Sequence, residues 1–381
     1  MKNRLFHGSH QIAPATALAV LAAMSPGQPA AAHPAAASDT ELDTLRARVA
    51  ALESTASPLS FNVGADTRIT IYGYIKGDLI YDSGYDLGRT TFGLTTIGLP
   101  GGPAAGNFTR GQASQSRFGF KIDGGDFKAR VEGDFFGAGN GFRLRHAYGE
   151  WNGILVGQTW SNFMPLESYP STVDFEGPVG IPFARVQQVR YSYISGPIAV
   201  AASLEADVAG TSSRPAITGS GQYTMDRGSI RVAAISRRIP LGGADRNIWG
   251  VTVGGVANLW QGGTFVANYS TGDGNADLLV SGLGGTAQFV GGQTIEAEGI
   301  TLGISQDIGE KFTIGAAWGR TRMDVATGVD TRELESIHLS AWYRPVEKVE
   351  FGLEYFTGTR TQGNGIAFDA DRVQFAGRFF F

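Results

Sequence analysis

Apolar and polar residues alternate along most of this chain, which is the period-two pattern of β-strands. The pattern is clearest between residues 127 and 148, where two alternating runs flank a turn sequence at 137–141. The first run has an apolar set, Phe127, Ala129, Val131, Gly133 and Phe135, and a charged set, Lys128, Arg130, Glu132 and Asp134. In the second run Phe142, Leu144, His146 and Tyr148 alternate with Arg143, Arg145 and Ala147. This predicts a hairpin with one apolar and one charged face, as in a barrel with lipid outside and water inside.

The same alternation recurs to the end of the chain. Runs of this kind lie at 68–82, 117–123, 154–159, 186–193, 198–206, 216–223, 229–237, 248–258, 264–270, 295–304, 312–321, 336–344, 349–356 and 372–381. Long glycine-rich loops at 86–114 and 271–293 alternate with tight turns at 123–126 and 226–228, the loop asymmetry of membrane barrels. We predict an all-β fold, a transmembrane antiparallel β-barrel of about sixteen strands, with fourteen and eighteen as alternatives. The last strand ends in Phe381, which resembles the C-terminal recognition signal of bacterial outer-membrane barrels.

The N-terminal segment has a different pattern. Residues 1–37 predict a signal peptide, because Lys2 and Arg4 precede an apolar core at 13–24 and alanine triplets follow it. A retained anchor helix is the alternative. Residues 38–57 predict a short helix whose heptad seam carries Leu42, Leu45, Val49 and Leu52. The helix is either a periplasmic coiled coil of a homo-oligomer or an amphipathic helix lying on its own domain, and residues 58–381 form the predicted barrel.

The amino-acid composition argues against several classes of protein. Charged residues make up 17 % of the chain, 55 of the 381 residues are glycine, and no apolar run beyond the N-terminus is long enough for a helical span. The formal net charge of −4 does not indicate a nucleic-acid partner. The chain has no cysteine, so it carries neither disulfides nor thiol chemistry.

The segment 161–184 has no strand periodicity and is rich in proline and glycine. It occupies the position of the third external loop, which in porins folds into the channel, and it carries Glu167, Asp174 and Glu176. We predict that it is a constriction loop, with an ordinary surface loop as the alternative.

Signatures of catalysis and metal binding are few. No nucleophile elbow, phosphate loop or zinc motif occurs, and we expect no enzyme activity and no cofactor. His146 is predicted on the apolar outer face, and His338 is predicted to be a solvated residue of the pore wall. Asp273, Asn275 and Asp277 are a weak calcium candidate that lacks the completing glutamate.

The charged face is predominantly basic. The cations predicted to line the lumen are Lys76, Arg117, Lys121, Lys128, Arg130, Arg143, Arg145 and Arg190, with Arg231, Arg237 and Arg378 on later strands. The acids on the same face of the first set of strands are Asp78, Asp82, Asp123, Glu132 and Asp134. A row of guanidinium groups attracts anions, and a facing acidic loop at 174–176 would add a transverse field. Alternatively, the charges neutralise one another in ladders that only hydrate the wall.

Several of these segments resemble the DcaP-like trimeric porins of Gram-negative bacteria. The matching segments are the heptad helix, residues 71–76, 116–120, 142–148, 157–161 and 189–191, and Phe381. The resemblance implies a sixteen-stranded barrel, a trimer, a periplasmic N-terminal extension and a preference for anions such as dicarboxylates. It carries Arg143 and Arg145 over as cations of the pore wall.

The sequence therefore predicts a porin for small hydrophilic, preferentially anionic solutes in the outer membrane of a Gram-negative bacterium. Membrane lipid, lipopolysaccharide and two further copies of the chain are the expected partners. A non-selective or weakly cation-selective porin, a barrel lipase that uses His146 and a structural barrel that contacts the cell wall are the alternatives.

Overall fold

The structure is a computed structural model that describes residues 59–64, 66–208, 212, 214–241, 244–279, 289–290, 292–324 and 328–381. The predicted signal peptide and heptad helix lie outside the described residues. No helix in the described part of the chain is long and apolar enough to cross a membrane.

Strands account for most of the described residues. They are β1 (Ser60–Val63), β2 (Thr67–Ser83), β3 (Phe108–Gln112), β4 (Arg117–Asp123), β5 (Phe127–Asp134), β6 (Arg143–Trp151), β7 (Ile154–Trp160), β8 (Arg185–Ser195), β9 (Ile198–Glu205), β10 (Ala216–Met225), β11 (Gly228–Leu241), β12 (Ala244–Trp260), β13 (Gly263–Asp273), β14 (Phe289–Val290), β15 (Gln293–Thr294), β16 (Glu296–Ile308), β17 (Phe312–Met323), β18 (Thr331–Val346), β19 (Val349–Gln362) and β20 (Ala367–Phe380). A short helix, α1, spans Ala276–Leu279, and 3-10 turns lie at Thr91–Thr96, Ala138–Asn140 and Leu166–Ser168.

The main sheet is antiparallel and closes on itself. Consecutive strands pair from β4 to β13 and from β16 to β20, and β20 pairs with β2, with Phe380 opposite Tyr74. Two positions in the wall are each shared by two strands: β3 and β4 both pair with one edge of β2, and β1 pairs with the other edge beyond the end of β20. The eighteen strands of this sheet therefore occupy sixteen positions, and the predicted sixteen-stranded barrel is confirmed.

The segment 161–184 identifies the inner face of the barrel. Ser340 on β18 and Thr301 on β16 donate side-chain hydrogen bonds to its backbone, and so does Lys76 on β2. Since these strands lie on well-separated parts of the wall, one segment can reach all of them only from inside. The opposite, outward face carries apolar side chains, such as Ile75 and Leu79, which are 60 % and 58 % exposed. The predicted apolar outer face and polar inner face are thus present on β2.

A β-bulge interrupts the alternation between β5 and β6. Glu132 pairs with His146 and Gly133 pairs with Leu144, so Arg145 is an extra residue between them. Both Arg145 and His146 turn inward, and the alternation beyond them is reversed. The predicted outward positions of His146 and Tyr148 are therefore wrong, because a one-residue slip exchanges the two faces of a strand.

The long loop predicted at 86–114 also differs from expectation. Its last part forms β3, and its 3-10 turn is packed inside the barrel, with Leu94 and Ile97 fully buried. These side chains share an apolar cluster with inward residues of the later strands, among them Phe356 on β19 and Ala370 on β20. Residues of α1 complete the cluster. The segment that joins β2 to β3, hereafter the loop at 84–107, and the residues of α1 thus pack against the inner face of β16–β20.

Candidate functional site: an arginine–aromatic constriction

The segment 161–184, hereafter the inward loop, follows directly from β7 and crosses the interior of the barrel. Glu354 on β19 accepts hydrogen bonds from the backbone N–H groups of Val173 (2.6 Å) and Asp174 (3.2 Å). Glu167 accepts from Ser229 on β11 at 2.6 Å. The loop passes so close to the wall that a Cβ at Gly180, whose φ is +94°, would lie 2.6 Å from the carbonyl oxygen of a wall strand. Only glycine allows this approach.

Four guanidinium groups surround aromatic side chains of the inward loop. The ring of Phe175 has three of them within cation–π distance: Arg117 at 5.7 Å, Arg143 at 5.9 Å and Arg145 at 5.3 Å. The fourth, Arg185 at the start of β8, lies 4.6 Å from the ring of Trp160 and 5.8 Å from that of Phe183. We call Arg117, Arg143, Arg145 and Arg185 the arginine cluster.

The members of the arginine cluster differ in how they are paired. Arg143 and Arg145 both bind Asp134, and Arg145 also binds Glu132 at 3.0 Å. Arg117 and Arg185 form no ion pair with a carboxylate in the part of the chain that the structure describes. Glu176, next to Phe175, has no side-chain hydrogen bond or ion pair among the described residues. The cluster therefore holds more positive charge than its carboxylates neutralise.

A second basic group lies nearer the short turns. Arg130 binds Glu132 and donates to the hydroxyl of Tyr72 at 2.6 Å, while Lys121 lies 4.8 Å from the ring of Tyr72. Lys121 and Lys128 are exposed to the interior, where they line a recess of about 460 Å³. Arg190 is half-buried on β8. These four cations keep the inward placement predicted for them.

Lys76 differs from the expected open pore-wall cation. It is completely buried, forms an ion pair with Asp78 at 3.0 Å and donates to the backbone oxygen of Val173 at 2.7 Å. Lys76 is therefore not accessible from the lumen. The inward loop covers Lys76, and sequence alternation cannot reveal such a cover.

Two of the three cations predicted on later strands, Arg231 and Arg378, also have partners inside the barrel. Arg231 donates to the backbone and side-chain oxygens of Asn162, both at 2.9 Å, and so holds the inward loop. Arg378 lies 3.9 Å from the ring of Trp342. Arg231 and Arg378 therefore bind other residues inside the barrel.

Arg237 occupies the weak calcium candidate. Its guanidinium group binds the carboxylates of Asp207 and Asp277 and the side-chain oxygen of Asn275. An arginine thus binds two of the three side chains that the sequence offered to a cation, Asn275 and Asp277, and the calcium interpretation is wrong. No group of three or more potential metal ligands occurs in the described ranges.

Two of the predicted acids of the inward loop do not face the arginine cluster. Asp174 is buried and bound to Arg372 and Thr91, while Glu167 is bound to Gln222 and Ser229. Glu176 alone of the three lies beside the cluster. The predicted transverse field, which required the whole acidic stretch 174–176, is reduced to the Glu176 carboxyl group, and only when that group is ionised.

Both histidines of the described barrel are buried. His146 contacts Thr159 at 2.9 Å and is 2 % exposed, so it lies inside the wall and away from any lipid-facing rim. His338 binds Glu354 at 3.1 Å beneath the inward loop, and the prediction of a solvated histidine is wrong. Among the described residues, the side-chain hydrogen-bond partners of the two histidines are Thr159 and Glu354, whereas the barrel-lipase alternative requires a serine beside His146.

Sequence reasoning missed Arg185, Phe175 and Trp160. Arg185 lies at a strand boundary, where alternation gives no direction, and the two aromatic residues have no basic neighbour in sequence. The only available signal was the chain Pro182-Phe183-Ala184-Arg185, which places a cation directly at the end of the inward loop.

A closed sixteen-stranded barrel with a polar interior and an inward-folded loop is the architecture of porin-type channels of the outer membrane. Comparison with known proteins agrees. Residues 46–223, just under half of the chain, match the family described as DcaP outer membrane protein. The resemblance to the DcaP family seen in the sequence is confirmed over this part of the chain.

Solved structures show the same fold. The crystal structure of the outer membrane channel DcaP of Acinetobacter baumannii has a TM-score of 0.76 at 24 % identity, covering 84 % of this chain and 99 % of that one. OmpTΔL8, a loop-deletion mutant of OmpT of Vibrio cholerae, has a TM-score of 0.60 at 13 % identity, covering 83 % and 100 %. An anion-selective porin from Comamonas acidovorans has a TM-score of 0.58 at 16 % identity, covering 83 % and 100 %. No curated protein matches the sequence.

Proposed function

We propose that this protein is a passive outer-membrane porin for small hydrophilic solutes, preferentially carboxylates and dicarboxylates, with no catalytic step. The observation that carries the proposal is the arginine cluster around Phe175, in which Arg117 and Arg185 lack carboxylate partners within the described residues. Guanidinium groups in a confined aqueous passage raise the local concentration of anions and can bind a carboxylate through two parallel hydrogen bonds.

The position of the cluster supports a selective role. The loop at 84–107 packs against the inner face of β16–β20, and the inward loop crosses the interior and brings Phe175 beside the arginine cluster, so we expect a solute to pass next to these cations. One unit charge attracts another by about 1 kcal/mol in bulk water at about 4 Å, and by about 4 kcal/mol where the effective dielectric constant is lower. Such energies concentrate anions without trapping them, as conduction requires.

Paired solutes of equal size provide the test. Liposomes that contain the protein are exposed to a dicarboxylate and to the neutral diamide of the same acid, and the two rates of entry are compared. Faster entry of the dicarboxylate is expected. Equal rates would favour the non-selective porin instead.

We further propose that the chain is a homotrimer held partly by the barrel wall. Strands β4, β5, β6 and β7 have only 7 to 9 residues, whereas β12 and β18 have 17 and 16. A strand that crosses the membrane needs about 9 to 11 residues, and strands β4–β7 are at or below this length. We therefore expect this part of the wall to pack against a neighbouring copy of the chain and not against lipid. Cross-linking in native membranes tests the trimer, and deletion of residues 39–54 tests whether the proposed periplasmic helix contributes to it. Single-channel conductance should not change in that deletion.

A further inference from the structure

Arg372 on β20 is a buried junction between the barrel and both interior loops. Its Nε and Nη2 groups donate to the two carboxylate oxygens of Asp82 on β2, at 2.7 and 3.0 Å. Its Nη1 donates to Asp174 of the inward loop at 3.1 Å. Its Nη2 also donates to the backbone oxygen of Gly88, in the loop at 84–107, at 2.7 Å. One guanidinium group thus connects two strands and two loops.

Asp174 is one of the groups that hold this part of the inward loop, alongside Glu354 and Lys76, which bind the backbone of residues 173 and 174. Besides Arg372, Asp174 accepts from the backbone N–H of Thr91 at 3.2 Å and from the Thr91 hydroxyl at 3.1 Å. The same carboxylate accepts from the backbone N–H of Glu176 at 3.0 Å, which closes a tight turn around Phe175. Its bonds therefore fix the two residues of the loop that lie beside the arginine cluster.

The loop at 84–107 is itself anchored at a separate point. Arg360, fully buried on β19, donates to the backbone oxygen of Ile97 at 3.0 Å, and Leu94 packs against the backbone of Gly358. The chain from this anchor to Thr91 is short. A displacement of the loop at 84–107 would consequently be transmitted through Thr91 and Asp174 to Phe175.

We propose that Asp174 and Arg372 are positioning residues of the constriction, and that they make the loop at 84–107 a second element that sets its width and selectivity. This inference rests on the proposed function only in assigning selectivity to the arginine cluster; the effect on width is independent of it. Asp174 acts here by holding Phe175 and Glu176 in place, whereas a lumen-facing carboxylate would act by repelling anions.

The substitution Asp174→Ala separates these two roles, because they predict opposite results. If Asp174 were a pore-wall charge, its removal would increase anion preference and leave conductance nearly constant. As a positioning residue, its loss lets Phe175 move away from the cluster. The passage then widens and the guanidinium groups are better screened by water. We expect a higher single-channel conductance, more current noise in the open state and a reversal potential in a KCl gradient that moves toward zero.

Arg237→Gln is the matched control. Arg237 is an equally buried arginine whose own bonds go to Asp207 and to residues 274–277, a segment that contacts the inward loop at Phe183 and not at Asp174. It should leave conductance and reversal potential unchanged, and an equal change in both variants would assign the effect to general destabilisation and overturn the proposal. Thr91→Val, which removes one hydroxyl contact, should shift both quantities in the same direction by less.

The outcomes are distinguishable from failure of the proposed function. A wild-type protein without anion preference removes the carboxylate-selective proposal, but the rise in conductance in Asp174→Ala still tests the positioning role. Should Asp174→Ala not assemble, Thr91→Val decides the matter. Unchanged conductance in Thr91→Val, or increased anion preference at constant conductance in Asp174→Ala, overturns the positioning role.

Discussion

Arg143 donates two parallel hydrogen bonds to Asp134, from Nε to Oδ1 at 2.9 Å and from Nη2 to Oδ2 at 2.8 Å. A guanidinium group bound in this way has most of its charge offset by its partner. The charge of Arg117 is not offset in this way, because its nearest described partners are the rings of Tyr74 and Phe175. Cations on the same wall therefore differ in what they offer to a solute, and the predictions below depend on that difference.

Removal of Arg117 and Arg185, the two cluster members that form no ion pair among the described residues, should reduce anion preference without disturbing the barrel. In Arg117→Gln with Arg185→Gln, no buried carboxylate loses its partner, so the barrel should assemble normally while the ratio of anion to cation permeability falls several-fold. Reversal potentials measured in planar bilayers give the ratio. Arg322→Gln, an exposed arginine paired with Glu333 on the outer surface, is the control and should have no effect.

Removal of the paired members should have a larger effect and should also cost stability. Arg143→Ala with Arg145→Ala deletes two cations and leaves Glu132 and Asp134 without these partners, so the two carboxylates offset the remaining Arg117 and Arg185 and the cluster loses its excess of positive charge. Breaking a buried ion pair in this way typically costs about 3–5 kcal/mol. We expect loss of anion preference and a lower temperature of barrel unfolding on heated gels.

A variant that also removes the two carboxylates checks the interpretation of Arg143→Ala with Arg145→Ala. Adding Glu132→Gln and Asp134→Asn to the same protein removes the stranded carboxylates and should recover part of both losses. Unchanged selectivity in the original double variant would contradict the register assigned to β6.

Phe175 should limit the width of the passage. Phe175→Ala removes a ring that three guanidinium groups surround, and we expect a higher single-channel conductance together with faster entry of bulky anions. Phe175→Leu retains most of the volume and should keep a conductance near that of the wild type. If both variants conduct like the wild type, the inward loop does not form the narrowest point.

Selectivity should depend on pH through Glu176, which lies in the inward loop outside the membrane-spanning strands. Burial, reinforced by the nearby Asp174, raises the pKa of the Glu176 carboxyl group to about 8. Glu176 is therefore mostly neutral at pH 7 and becomes negative as the pH rises through that value. Anion preference should decline between about pH 7 and pH 9, as reversal potentials will show. In Glu176→Gln the decline should disappear, and its persistence there would assign the titration to another group.

The barrel could be predicted from the sequence because the alternation of apolar and polar residues is a local property of each strand. Ile75 and Leu79 face outward, as their position in the pattern requires, and the closure of β20 on β2 follows from the strand count. The bulge at Arg145 did not follow, because one extra residue leaves no mark on composition. It reversed the assigned faces of His146 and Tyr148.

The interior was less predictable because it depends on contacts between residues far apart in sequence. Lys76 looks like a free cation on its strand, but the inward loop, almost one hundred residues later, covers it. Arg237 and Asp277 belong to different strands and loops, and only the fold brings them together. Arg185 was not predicted because it lies at the start of β8, where the alternation of apolar and polar residues gives no direction.

The zero-current potential of the wild-type protein in a KCl gradient across a planar bilayer tests the central claim most directly. If the arginine cluster selects for anions, chloride crosses faster than potassium and the dilute side becomes negative. A dilute side that is positive, or a potential of zero, would contradict an anion-selective passage.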